Sequence, residues 1–171
     1  MPPYITTYSF YSSKSQIPVF PVSSMTMLGF GEDNLVFFDF EFSYVSIIGA
    51  SISVFLGIVM TQSGFDKLFN WEGELDFITG KFAKTPLANF STFGLIQVTI
   101  FEILSGLLSI FGSIMALFYN EYSYAIMGLI LAASSLAILM LGQRISKDYE
   151  GAAVLVPYYI LTMFGLYVYV S

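Results

Sequence analysis

The feature that most constrains this chain is a set of four long stretches with almost no charged residue. They are Phe42 to about Thr61, a stretch within Thr85 to Asn120 interrupted only by Glu102, Tyr122 to Gln143, and Gly151 to Ser171. A helix needs about 20 mostly apolar residues to cross the hydrocarbon core of a bilayer. Lipid offers no water to an open sheet edge, so helices satisfy the backbone most economically. The sequence therefore predicts an all-α fold, a four-helix transmembrane bundle formed by residues 41–171.

Composition supports this fold class and excludes several kinds of site. Only 11% of the 171 residues are charged, whereas a soluble domain has about a quarter. The sequence contains no cysteine and no histidine, which excludes disulfides, thiolate or imidazole metal sites, His-ligated haem and Ser-His-Asp triads. A net charge of -6 argues against a nucleic-acid partner, which would need a basic surface. We therefore expect no metal site, no catalytic residue and no cofactor held by this chain alone, with a bound quinone as the one possible exception.

Small residues recur at helical spacing in three of the predicted spans. Membrane helices associate through small residues that let their backbones approach closely. The stripes are Gly49, Ser53, Gly57 and Thr61 in the first span, Ser105, Ser109 and Ser113 in the second with Gly106 and Gly112 beside them, and Gly128, Ala132 and Ser135 in the third. These stripes predict the packing faces of the bundle.

The connection from Gln62 to Leu87 is long and patterned. Apolar residues at helical spacing oppose acidic residues and a lysine there; the apolar set is Trp71, Leu75, Ile78 and Phe82, and the charged set is Glu72, Glu74, Asp76 and Lys81. This pattern is typical of a helix lying at the membrane interface. We expect an interfacial amphipathic helix between the first and second spans.

The basic residues indicate an orientation. Cytoplasmic loops carry an excess of Lys and Arg. One side of the predicted bundle holds Lys67, Lys81, Lys84, Arg144 and Lys147, and the other holds only the distant Lys14. The two longer loops are therefore expected on the cytoplasmic side, and the loop Gln62 to Leu87 and the turn Arg144 to Glu150 on the same side of the membrane.

Residues 1–40 do not fit the bundle. They are rich in Pro, Ser, Thr and Tyr and contain no apolar run long enough to span, a composition that cannot bury a core of its own. We expect an irregular N-terminal extension that contacts other subunits of a membrane complex.

Glu102 is the only charged residue deep in a predicted span. A charge there is costly unless it is paired or hydrated, so it is a functional candidate. If the second span begins near Ser91, eleven residues place Glu102 roughly 16 Å deep. It shares a helix face with Ser105, Gly106 and Ser109, which predicts that it points into the bundle. Three roles remain open: a neutral carboxyl that locks helix packing, a partner for a base, or a contact to a quinone.

Two polar clusters flank the same side of the predicted bundle. Gln62, Ser63, Asp66 and Lys67 follow the first span, and Gln143, Arg144, Lys147, Asp148 and Tyr149 follow the third. One interpretation is that Asp66 and Arg144 pair in one polar mouth near Glu102. The alternative is a set of interfacial anchors with snorkelling side chains.

Three segments carry a family resemblance: QSGFDKLFNWEGELDFITGKFAKTPL (residues 62–87), TIFEILSGLLSIFG (residues 99–112) and GQRISKDYEGAAVLVPYYILTMFGLY (residues 142–167). They resemble the DoxX/DoxD family of small four-helix membrane proteins, most closely its Bacteroidota forms, from about Phe42 onward. The resemblance implies membrane redox chemistry, including quinone-linked oxidation of thiosulfate. It also implies ligand-binding roles for Asp66, Lys67, Glu102, Gln143 and Arg144.

Three functional hypotheses follow. The first is a non-catalytic accessory subunit of a multi-subunit membrane complex, of the electron-transport type, in a bacterial inner membrane or an equivalent energy-transducing membrane. The second is the quinone-binding membrane subunit of a DoxD-type thiosulfate:quinone oxidoreductase. The third is a pigment-carrying subunit, in which Gln, Asn or Glu replaces His as the chlorophyll ligand. The missing redox-capable side chains and residues 1–40 favour the first hypothesis.

Overall fold

The fold is helical, as predicted. A computed structural model of the protein describes residues 29–30, 34–37 and 40–171. The helices are α1 (Tyr44–Phe69), α2 (Trp71–Phe82), α3 (Ser91–Tyr119), α4 (Ser123–Ile145) and α5 (Tyr149–Val170), and a 3₁₀ turn (Ala88–Phe90) precedes α3. Helices α1, α3, α4 and α5 are long and apolar enough to cross a membrane. The chain is therefore a multi-pass membrane protein with a four-helix bundle, and α2 occupies the position of the predicted interfacial helix.

The four spans form a ring in which α1 packs against α3 and α5, and α4 packs against α3 and α5. The predicted stripes of small residues lie at these contacts. A Cβ atom added at Gly57 would lie 3.0 Å from the Gly106 carbonyl oxygen, and one added at Gly128 would lie 2.6 Å from the Ser109 nitrogen. Real Cβ atoms do not approach this closely, so the glycines set the separation between helices.

The centre of the bundle combines large apolar side chains with hydroxyls. Leu56 and Leu129 are fully buried, and Ser53 is buried beside them. The Ser53 hydroxyl lies 3.1 Å from the hydroxyl of Tyr169. Because each buried hydroxyl needs a partner in a medium without water, such pairs fix the rotation of one helix against the next.

Helix α1 is longer than the predicted span. It continues to Phe69, two turns beyond Thr61, since Gln62, Ser63, Asp66 and Lys67 do not break a helix. These residues were expected after the first helix, and that expectation is wrong: they belong to its last two turns. Gln143 and Arg144 likewise belong to the last turn of α4.

Helices α1 and α4 end on the side of the bundle where α3 and α5 begin. By helix rise, α4 is about 35 Å long and Glu102 lies about 26 Å from the opposite end of α3. Glu102 therefore lies roughly 9 Å inside the level at which α4 ends. It is shallower than the roughly 16 Å expected from Ser91, because the first turns of α3 project beyond α4 and pack against α2.

A small antiparallel sheet precedes the bundle, and the sequence analysis did not predict it. Its strands are β1 (Gly29–Phe30), β2 (Asn34–Phe37) and β3 (Phe40–Ser43), in the order β1-β2-β3. Gly29 pairs with Val36, and Asn34 pairs with Ser43. The expected irregular extension 1–40 lies mostly outside the described residues, and its described part is strand. The partner contact predicted for that extension lies outside the described residues as well.

Strand β3 joins the sheet to the bundle. It packs against α1 and α3, and the Phe42 ring meets the Phe118 ring edge to face with centroids 6.3 Å apart. Helix α1 begins two residues later than predicted, at Tyr44, because Phe42 belongs to this strand.

Candidate functional site

The buried charge of the bundle is half of an ion pair. The Lys67 ammonium nitrogen lies 2.9 Å from Glu102 Oε2 and donates a hydrogen bond of 3.1 Å to Oε1. The Ser63 hydroxyl donates to the same oxygen at 3.2 Å and accepts from Lys67 at 2.8 Å. Glu102 is only 1% exposed and Lys67 is 16% exposed. Of the roles left open for Glu102, the structure assigns pairing with a base.

A close approach of α1 and α3 makes this pair possible. A Cβ atom added at Gly64 would lie 3.3 Å from Glu102 Cβ and 3.1 Å from the Ile103 nitrogen. Lys67 follows Gly64 by three residues, so it lies on the same face of α1. Its long stem then brings the ammonium group back to the carboxylate.

Beside this pair lies a cavity of about 500 Å³, here called the α2 cavity. Helix α2 forms one wall, and the others come from the ends of α1 and α4 and the beginnings of α3 and α5. Most lining side chains are apolar, and polar groups are few. Ligand cavities in proteins have this size and this character.

The α2 cavity has a closed end and an open end. Buried or mostly buried side chains line the closed end: Lys67, Phe82, Leu95 and Val98. Large exposed apolar side chains border the open end: Phe77, Phe90, Phe93 and Leu141. Lys67 therefore belongs to the mostly buried part of the lining of this apolar cavity.

A second ion pair holds α2 against the bundle. Lys81 Nζ lies 2.6 Å from Asp148 Oδ2, and Asp148 also caps α5 by accepting a hydrogen bond of 2.9 Å from the Gly151 N–H. The hydrogen bond from Lys81, supported by that N–H, lowers the pKa of Asp148 below its usual value. The contact confirms that the loop 62–87 and the turn 144–150 share one side of the membrane.

The structure separates the predicted site residues into two groups. Lys67 and Glu102 meet, and Gln143 lines the α2 cavity beside Lys67. Asp66 and Arg144 are exposed and take no part in the cavity. The predicted Asp66–Arg144 pair is wrong: among the described residues the ion pairs are Lys67–Glu102 and Lys81–Asp148. Arg144 instead stacks over the Tyr149 ring, 5.0 Å from its centroid.

Gln143 carries an unsatisfied group. Its side-chain oxygen is buried and has no hydrogen-bond partner within the described part of the chain. Such a group costs roughly 1–3 kcal/mol, and oxygen and nitrogen of an amide exchange places by a simple flip. Gln143 is therefore able to present either a donor or an acceptor beside the cavity.

Some cavity residues on α2 and α3 were not predicted from the sequence. Glu74 and Lys81 were predicted only as the polar face of an interfacial helix, yet both line the cavity. Gly94 lines it too, and a Cβ atom added there would meet nothing within 4 Å. The one available signal was the amphipathic pattern of residues 71–82, which requires something to lie beneath the apolar face.

Metal binding finds no support in the described residues, which hold no group of three or more potential metal ligands. Comparisons of the chain with protein-family profiles, with curated proteins and with solved structures found no match.

Proposed function

We propose that this chain is a quinone-binding, non-catalytic subunit of a multi-subunit electron-transport complex in a bacterial inner membrane or an equivalent energy-transducing membrane. The observation that carries the proposal is the α2 cavity with Lys67 at its closed end. A quinone needs an apolar space for its ring and a donor for its carbonyl oxygen. Lys67 offers three N–H bonds, which the Glu102 carboxylate, the Ser63 hydroxyl and, at 3.4 Å, the Ser63 carbonyl oxygen accept. A quinone carbonyl would replace the last and longest of these.

The ion pair keeps that donor charged inside the membrane. An isolated ammonium at this position would be costly to bury, but the Glu102 carboxylate at 2.9 Å compensates for it. Gln143, at the same cavity wall, provides a second hydrogen-bonding group. A quinone is neutral, so it takes a hydrogen bond from Lys67 without competing for its counter-charge.

The non-catalytic role is inferred from two residue types that the sequence lacks. Reducing a quinone to a quinol takes two electrons and two protons, and the usual protein ligands for haem and iron–sulfur clusters are His and Cys. The 171 residues contain neither, so the electrons have to come from a partner subunit. The resemblance to the DoxX/DoxD family supports the same proposal and extends it to a sulfur compound as the electron donor.

A fluorescence titration tests the proposal. Trp71 is the only tryptophan of the sequence and lies one turn before Glu74, which lines the cavity. Menadione, a tailless naphthoquinone, is titrated into the purified chain in nanodiscs, and quenching of Trp71 is measured. We expect saturable quenching that weakens about tenfold in Lys67→Met/Glu102→Gln, the loss of one charge-assisted hydrogen bond.

The double substitution removes both charges of the ion pair together, so no unpaired charge is left buried. We therefore expect the variant to stay folded, and its affinity for menadione can be compared with that of the wild type. Lys84→Met is the matched control, because Lys84 is exposed and outside the cavity, and it should bind as the wild type does. Quenching that does not saturate, or equal affinity in all three proteins, would contradict quinone binding at Lys67.

A further inference from the structure

The open end of the α2 cavity is bordered by apolar side chains that face outward. Phe77, Phe90, Phe93 and Leu141 line the cavity and are between 60% and 65% exposed. Four large apolar groups around one opening form a surface that avoids water. In a membrane protein such a surface faces lipid.

Gly94 leaves this opening wide. It lies in the first turn of α3 after Phe93, lines the cavity, and a Cβ atom added there would meet nothing within 4 Å. Free space around it means that Gly94 is not required for helix packing, in contrast to Gly57 and Gly106.

The side of the cavity toward the membrane surface is closed. The Lys81–Asp148 ion pair of 2.6 Å bridges the last turn of α2 and the turn before α5. Phe82, buried next to Lys81, packs close to Gly142 on α4, where an added Cβ atom would lie 3.3 Å from its ring. A ligand in the cavity is thereby separated from the aqueous phase on this side.

We propose that the ligand enters and leaves sideways from the bilayer, between the beginning of α3 and the end of α4, and that its hydrocarbon tail occupies this opening. The inference rests on the proposed function and names its ligand class: an isoprenoid quinone dissolved in the membrane rather than a water-soluble quinone. The ring lies at Lys67, and the tail passes Gly94 and Phe93 to reach lipid.

The test compares a tailed with a tailless probe. Menaquinone-2 and menadione are titrated into Gly94→Phe in nanodiscs with the Trp71 quenching assay. An added Cβ atom at Gly94 meets nothing within 4 Å, and we expect the phenylalanine ring to extend from it into the opening. We expect menaquinone-2 to bind at least about tenfold more weakly than to the wild type, while menadione binding changes less than about twofold.

Gly80→Phe is the matched control. Gly80 is also helical, also has nothing within 4 Å of an added Cβ atom, and does not line the cavity, so both probes should bind normally. Equal weakening of the two probes in Gly94→Phe, or no weakening of either, would overturn the placement of the tail in this opening. Failure of both probes to quench the wild type would instead refute the proposed function.

Cross-linking tests whether the α2 cavity is closed toward the membrane surface. The sequence has no cysteine of its own, so Lys81→Cys/Asp148→Cys can be joined by a short bis-maleimide. We expect menaquinone-2 to associate with the cross-linked double variant at the same rate as with the same variant before cross-linking. A slower association would place the entrance under α2 at the membrane surface and would overturn the proposal.

Discussion

The Lys67–Glu102 pair predicts a large and specific coupling energy. Lys67→Met alone leaves a carboxylate that is 1% exposed with only the Ser63 hydrogen bond of 3.2 Å. Removing one partner of a buried ion pair costs about 3–5 kcal/mol. Because Lys67 is 16% exposed, we expect about 3 kcal/mol. The double variant Lys67→Met/Glu102→Gln keeps a neutral amide beside Ser63 and should lose only about 1 kcal/mol.

The coupling is measured with a double-mutant cycle of unfolding free energies in mixed detergent micelles. The four proteins are the wild type, Lys67→Met, Glu102→Gln and the double variant. The Lys81–Asp148 pair provides the control cycle, with Lys81→Met and Asp148→Asn, because its side chains are more exposed, 20% and 33%, and solvent screening weakens such a pair. If the Lys67–Glu102 cycle gives no more coupling than the control cycle, the carboxylate is not buried against the lysine and the reasoning fails.

Further predictions concern packing, pH and assembly. Gly106→Leu should destabilise the bundle by about 2–3 kcal/mol, because an added Cβ atom lies 2.9 Å from the Gly57 carbonyl oxygen. Gly80 has free space around an added Cβ atom, so Gly80→Leu should have no such effect in the same unfolding assay. The pKa of Asp148 is lowered from 3.8 by its hydrogen bonds, so its stabilisation is present above that value and is lost as pH falls through the lower folded pKa. The difference in Tm between wild type and Asp148→Asn should therefore be constant from neutral pH to about pH 5 and vanish well below pH 4; a constant difference at all pH values would contradict the pairing. Deleting residues 1–40 should weaken co-purification with partner subunits while the bundle stays folded, and full retention of every partner would refute their role in assembly.

The fold could be predicted because its cause is visible in the sequence. Four stretches of about 20 or more residues with almost no charge admit no alternative to spanning helices in lipid. The end of α1 could not be predicted in the same way, because loss of apolar character after Thr61 marks the edge of the membrane rather than the end of the helix. The strands at residues 29–43 were missed because they are too short for a clear alternation.

The partner of Glu102 depended on helix rotation. Successive residues in a helix are 100° apart, so Asp66 lies about 200° from Gly64, and Lys67 only about 60° from it on the near side. Since Gly64 faces α3, Lys67 faces Glu102 and Asp66 faces away. Gly64 lies one turn beyond Thr61, where the predicted stripe of small residues ends, and extending that stripe by one turn would have indicated the face of α1 that meets α3. The α2 cavity itself had no such signal, because its walls come from all five helices.

Photolabelling tests the central claim most directly. An azido derivative of a short-tailed isoprenoid quinone is bound to the wild-type chain in nanodiscs, irradiated, and the labelled peptides are identified by mass spectrometry. We expect the label on α2 and on the first two turns of α3, which line the α2 cavity, with loss of the label when unlabelled menaquinone-2 is present in excess. Label spread over the lipid-facing surface of all four spans, or label that excess menaquinone-2 does not displace, would contradict a quinone site in this protein.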